Sequence, residues 1–122
     1  MREKSQIILN NGQCFVLYES LANLINSKVE MPVSLGYYLI SNFNDLKQTY
    51  ETINMTREKI IKGSSDEDGI IPQHLIEEVN DKLNQLGKME TVVRLYKIPI
   101  EEMEEAKLDL FTINGLFPIL QG

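Results

Sequence analysis

Cysteine and histidine occur once each, at Cys14 and His74, and that scarcity excludes much chemistry. A lone cysteine forms no internal disulfide, so a small stapled secreted domain is ruled out. Placed among Phe15, Val16 and Leu17, Cys14 reads as a buried structural thiol. One imidazole has neither a second histidine for a metal nor a nucleophile at recognisable spacing. Sitting beside Gln73 at a helix start, His74 reads as a surface residue near a cap. No glycine-rich phosphate loop is present, and the sequence predicts no catalytic residue, no cofactor and no metal. No Lys/Arg cluster is denser than Arg57, Lys59 and Lys62. Because counterion release supplies most nucleic-acid affinity, the missing basic stripe argues against direct nucleic-acid binding. Long apolar runs are also lacking: Ile7-Ile8-Leu9 ends at Asn10-Asn11-Gly12, too short for a signal peptide or a membrane span. The sequence therefore predicts no membrane partner, no signal-directed secretion, and a place inside the cell.

The 122 residues carry 18 acidic against 12 basic side chains, a net charge of −6. Hydrophobic residues make up 43% and charged residues 25%, ordinary values for a globular chain, and the length suits a single domain over residues 1–122. An acidic surface keeps a protein soluble and can meet basic protein surfaces.

Hydropathy patterning predicts an α+β fold that is mainly α. A short strand at 5–9 leads to a helix over about 13–27, with Phe15, Leu17, Tyr18, Leu21, Leu24 and Ile25 on one side and Asn11 as a candidate cap. Pro32 suits the first turn of a long helix over about 32–62. Along it Leu35, Leu39, Phe43, Leu46, Tyr50, Ile53, Arg57 and Ile60 recur at steps of three and four, close to a heptad seam. Its length of roughly 45 Å exceeds what a small domain needs, so part of it is expected to project or meet a partner. Gly63 to Gly69 is an exposed acidic tip, and a shorter helix over about 72–87 returns with Leu75, Ile76, Val79, Leu83 and Leu86 inward. The result is an antiparallel helical hairpin. Glu90 to Ile98 has the branched and aromatic character of a strand, and the strand at 5–9 is its expected antiparallel partner. Pro99 to Lys107 reads as a short acidic helix. Leu108 to Leu120, with Leu110, Phe111, Ile113, Leu116, Phe117, Ile119 and Leu120, is an apolar tail that must dock on the core or on another molecule.

Two acidic features invite a site. With Gly69 at the sixth position of a calcium loop, Ser64, Asp66 and Asp68 occupy ligand positions, but the twelfth is Leu75 in place of the bidentate glutamate. A solvated tip is the better reading. Glu101, Glu102, Glu104, Glu105 and Asp109 form a dense negative patch around Met103, read as a solvated face or as a surface for a partner's Lys and Arg. Tyr37 and Tyr38 are adjacent and cannot share one helical stripe, so one is expected at the surface, where a tyrosine makes a good interface anchor. Arg57, a charge on an apolar seam, is expected to pair with Glu51, Glu58 or a carboxylate of the return helix, or to face a partner.

Taken together, the helix bearing Leu21-Ala22-Asn23-Leu24, the lead-in Met31-Pro32-Val33, and Asn42-Phe43-Asn44-Asp45-Leu46 resemble a phage protein family. The later matches are Arg57-Glu58-Lys59-Ile60-Ile61, Asp66-Glu67-Asp68-Gly69, the Asn80 to Leu86 helix, the Glu90 to Ile98 strand and the close at Leu116 to Leu120. The family comprises short proteins encoded by phages and prophages of Gram-positive bacteria and is catalogued as a domain of unknown function. The resemblance spans nearly the whole chain through patterns of helix entrance, turn and strand. It implies no activity and no catalytic residues. It implies instead a small protein that binds protein, in the host cytoplasm during infection or within the virion. Three expectations follow: an accessory protein or inhibitor of a host or phage protein, a virion or assembly component packing through the long helix as a homo-oligomer, and a small-ligand-binding protein.

Overall fold

A computed structural model describes residues 2–106 and 108–121. Lys107, the expected end of the acidic helix, and the side chain of Leu110 in the apolar tail lie outside the described set. In chain order the elements are β1 (Ser5–Asn10), α1 (Asn11–Ile25), α2 (Val33–Gly63), α3 (Gln73–Lys88), β2 (Glu90–Leu95), β3 (Ile98–Pro99), α4 (Ile100–Glu105) and α5 (Leu110–Leu116). A 3₁₀ turn (Phe117–Ile119) and β4 (Leu120–Gln121) complete it. The fold is α+β and mainly α, with β1 and β2 forming an antiparallel ribbon from Ser5 opposite Leu95 to Asn10 opposite Glu90.

The strand-to-helix corner lies two residues earlier than the hydropathy pattern predicts. Asn10, not Asn11, is the cap: its Oδ1 accepts the Gln13 N–H at 2.7 Å while the Gln13 side chain accepts the Asn10 N–H at 2.9 Å. This reciprocal box satisfies two of the donors that a helix start leaves orphaned. Asn11 is instead buried in the first turn, donating from Nδ2 to the Leu86 carbonyl at 2.9 Å and so tying α1 to the end of α3.

α1 and α2 pack side by side under the ribbon. Leu17, Leu21 and Leu24 meet Leu35, Leu39 and Leu46, with Val93 and Leu95 from the inner face of β2 in the same core. An aromatic ladder seals the flank of this helix pair. Tyr18 stacks between Phe43, at 4.6 Å between ring centroids, and Tyr50, at 3.9 Å, with Phe15 beyond Tyr50 at 5.0 Å. The apolar tail resolves as mostly core on one face, since Leu116 and Ile119 are fully buried while Phe111 and Phe117 are exposed. Cys14 is buried, and that environment pushes its thiol pKa up.

Burial is uneven along the hairpin. On α2 the last buried residue is Ile53, and on α3 only Val79 is buried, so the distal third is a thin arm. At its tip the Asp66 carboxylate accepts the N–H groups of Asp68 and Ile70, and Gly69 adopts a φ of +79° that disfavours other residues. The loop thus forms a turn closed by its own backbone N–H groups on the Asp66 carboxylate. Gly63 is the last residue of α2, not a stop beyond it. Ser64 and Ser65 cap the helix end, with Ser65 Oγ donating to the Ile61 carbonyl at 2.6 Å.

The strand expected over 90–98 is broken after Leu95. There Asn42, fully buried in the middle of α2, accepts the Tyr96 N–H at 2.7 Å through Oδ1 and donates to the Tyr96 carbonyl at 2.9 Å through Nδ2. A side-chain amide thus takes the place of a strand neighbour. The chain then turns, and Ile98–Pro99 pairs in parallel with Leu120–Gln121. Asn42 stands in step with Leu35, Leu39 and Leu46, a polar residue on an apolar stripe.

Replacing Asn42 by Ala leaves two enclosed backbone groups of Tyr96 without partners and should cost about 2–4 kcal/mol in chemical denaturation. Gly115 meets α1 so closely that an added Cβ would overlap Ser20 Oγ and fall 2.9 Å from Ser20 Cβ. Gly115→Ala should therefore destabilise by about 1–3 kcal/mol, with hydrogen exchange rising first in α5, and Ser20→Gly should recover most of the loss.

Candidate protein-binding surface

Adjacent positions on a helix diverge by about 100°, and Tyr37 and Tyr38 separate as that geometry requires. Tyr37 is 64% exposed, whereas Tyr38 is half-buried and meets Tyr37 edge-on at 5.5 Å. The second ring is braced from three sides. Tyr96 lies against it at 4.7 Å, its own backbone held by Asn42, and the Arg2 guanidinium sits 4.6 Å above the ring. Arg2 also pairs with the Glu102 carboxylate of α4.

A parallel arrangement follows two residues on. The Lys4 ammonium lies 5.4 Å from the Tyr96 ring centroid and 2.8 Å from Asp45 Oδ2 on α2. The hydrogen bond to Asp45 outweighs desolvation and raises the Lys4 pKa above the ordinary 10.5. The lead-in to β1 therefore lays two cations across two tyrosines and anchors each to a carboxylate on a different helix. Partly exposed ion pairs add little stability, so their main effect is positional: they hold Tyr38 and Tyr96 in a fixed frame, with Tyr37 edge-on against Tyr38. Arg2 Nη1 is enclosed and has no acceptor among the described residues.

The remaining candidates divide. Glu101, Glu104 and Glu105 are exposed on α4 and form no ion pair among the described residues, while Met103 and Ala106 bury the opposite face and fix the helix. Glu102 belongs with Arg2. Asp109 is an N-cap, accepting the Thr112 N–H at 2.7 Å, and this bond lowers its pKa below the ordinary 3.8. Its role is structural, which separates it from the negative patch. Arg57 does not join the tyrosines. It lies twenty positions further along α2, roughly 30 Å away, and is exposed with no ion pair to Glu51, Glu58 or α3 among the described residues. There it borders an apolar groove of about 350 Å³ lined by Phe15, Ile53, Leu83 and Leu86.

Arg2, Lys4, Asp45 and Tyr96 were not legible as site residues in the sequence, because each reaches the surface through long-range packing. The one available signal was Asn42, whose position among leucines marks a buried polar group needing a partner. No group of three or more His, Cys, Asp or Glu side chains converges among the described residues. None of their helices is long and apolar enough to cross a membrane. Comparison with known protein families, curated proteins and solved structures gives no match.

The Asp109 cap gives a signed pH dependence. A folded pKa below the ordinary value means that its contribution is complete above about pH 4 and is lost as pH falls through the lowered value. Hydrogen-exchange protection of α5 should drop over that acid range in the native chain. Asp109→Ala should lose the protection at neutral pH and show a flat profile there.

Proposed function

We propose that this chain is a small acidic accessory protein of the phage type that works by binding another protein, inhibiting or modulating a host or phage target. The observation that carries this reading is the braced tyrosine surface. Tyr37 is largely exposed beside a Tyr38 that is already locked by Arg2 and Tyr96, so binding through it costs little additional ordering. Rigid tyrosines are favoured anchors of protein interfaces. On α4, which Arg2 ties to Tyr38 through Glu102, the carboxylates of Glu101, Glu104 and Glu105 have no ion pair among the described residues and are suited to steering a basic surface of the partner. The resemblance to phage-encoded proteins supports the same setting, the host cytoplasm during infection, and no catalytic step belongs to this reading.

The α2–α3 arm supports a second reading, assembly through the long helix. Met55 and Ile76 are exposed on it at 69% and 43%, more apolar surface than a solitary arm requires. Light scattering distinguishes the two, because a strict monomer over a wide concentration range removes self-packing.

The first test is copurification with tagged protein from infected cells, comparing the native chain with two variants. Tyr37→Ala should weaken the captured interaction by about tenfold or more. Joint replacement of Glu101, Glu104 and Glu105 by Gln should slow association and flatten its salt dependence, with dissociation little changed. Retention of every interaction by both variants would remove this reading.

A further inference from the structure

One edge of β2 has no strand neighbour among the described residues. Backbone N–H and C=O groups alternate in direction along a strand, residue by residue. Two contacts fix the phase here. The Met89 carbonyl accepts from the Asn11 N–H at 2.8 Å, on the β1 side, whereas both backbone groups of Tyr96 face α2 and Asn42. Residues in phase with Tyr96 are Glu90, Val92 and Arg94, so their backbone groups point away from β1. β2 has no second strand neighbour, and no backbone or side-chain group among the described residues takes those of Val92 or Arg94.

Next to that edge the surface is open. Two adjoining hollows of about 430 and 460 Å³ run along β2, and their facing wall is the polar row Asp45, Thr49 and Thr52 of α2. Asn42 already fills the end of this lane, bonding to Tyr96 as a third strand would. Lys4, through its ion pair with Asp45, borders the Arg94 end of the lane, and from Val92 back to Glu90 the lane is open.

We propose that the lane accepts one extended segment of a partner polypeptide, which joins β2 as a third, antiparallel strand. The neighbouring side chains specify that segment. On the outer face the ribbon presents three rows: Gln6 with Arg94, Ile8 with Val92, and Asn10 with Glu90. Arg94, Val92 and Glu90 would each gain a neighbour from the new strand, calling in turn for an acid, a branched apolar residue and a base. The central row is apolar already, with Ile8 and Val92 exposed at 65% and 60%. Intervening side chains point down at Thr49 and Thr52 and must be small and polar. The segment therefore reads acid, Thr or Ser, Val or Ile, Thr or Ser, base.

A second copy of this chain does not fit. Its ribbon would bring its own α2 beneath the same strands, and helices need about 8–10 Å between axes where strands need only about 4.8 Å. A single free strand lying over the polar side of α2 meets no such conflict. This inference names a partner segment and so rests on the protein-binding reading, but it involves neither Tyr37 nor the acidic helix.

The test is a titration of the isotope-labelled full chain with a blocked synthetic peptide in which threonines alternate with glutamate, valine and lysine in that order. Amide exchange is followed by NMR. Protection of Val92 and Arg94 should rise about tenfold, while Val93 and Leu95, already paired with β1, change little. N-methylation of the peptide valine deletes one donor without altering charge and should weaken binding about tenfold. Thr49→Arg, which sends a long side chain into the lane from the helix surface, should abolish it. Unchanged exchange at Val92 and Arg94 under millimolar peptide would overturn the proposal, as would equal binding of the methylated peptide. Tyr37→Ala should leave the titration unaltered; its loss in that variant would assign the binding to the tyrosine surface and defeat the strand-edge site. Intact titration with a failed copurification would reject the tyrosine reading alone.

Discussion

One buried amide organises the meeting of helix and sheet. Asn42 has no exposure and bonds to both backbone groups of Tyr96, so the middle of α2 and the end of β2 are held at one fixed separation. A polar side chain in that position is tolerable only because its carbonyl and one amide hydrogen find partners. The surrounding core, from Leu35 to Leu46 on α2 and Val93 and Leu95 on β2, supplies the apolar enclosure that strengthens the two bonds. Remove the amide and the enclosure becomes a penalty.

Much else follows from that contact. By ending the ladder at Leu95 it releases the chain to turn towards Ile98, whose short parallel pairing with Leu120 locates the C-terminal segment. It also sets the Tyr96 ring, and Tyr96 in turn supports Tyr38 and receives Lys4. The surface that singles out Tyr37 is thus assembled outward from the core, in the order amide, strand end, aromatic pair, cations. Its rigidity derives from that order more than from the strength of any single surface pair.

Local patterns made the helices and the antiparallel ribbon readable. The steps of three and four from Leu35 to Ile60 marked α2, and the branched residues of Glu90 to Leu95 marked β2. What stayed hidden was decided by long-range pairing. Propensity alone extends the second strand to Ile98, since nothing local shows that Asn42, more than fifty residues upstream, takes the Tyr96 backbone. The same holds for the candidate site. Tyr37 and Glu101 could be named from composition and helical geometry, whereas Arg2 and Lys4 gain meaning only once β1 lies beside the loop after β2. Proximity in sequence groups Asp109 with its acidic neighbours, and the Thr112 N–H separates it from them. Helical periodicity puts Arg57 on α2, but the distance along that helix removes it from the tyrosines.

The pairing of Ser5 with Leu95 has a kinetic consequence. The α2–α3 hairpin closes between residues near in sequence, while the ribbon must bring together strands separated by most of the chain. Loop closure of that span carries an entropic cost before any ladder bond forms, and folds rich in distant pairings form slowly. The helices should therefore assemble first and the ribbon last. During that interval Ile7, Ile8 and Leu9 have no partner strand, which makes the first strand the segment most open to chaperone capture or misassembly while the protein matures.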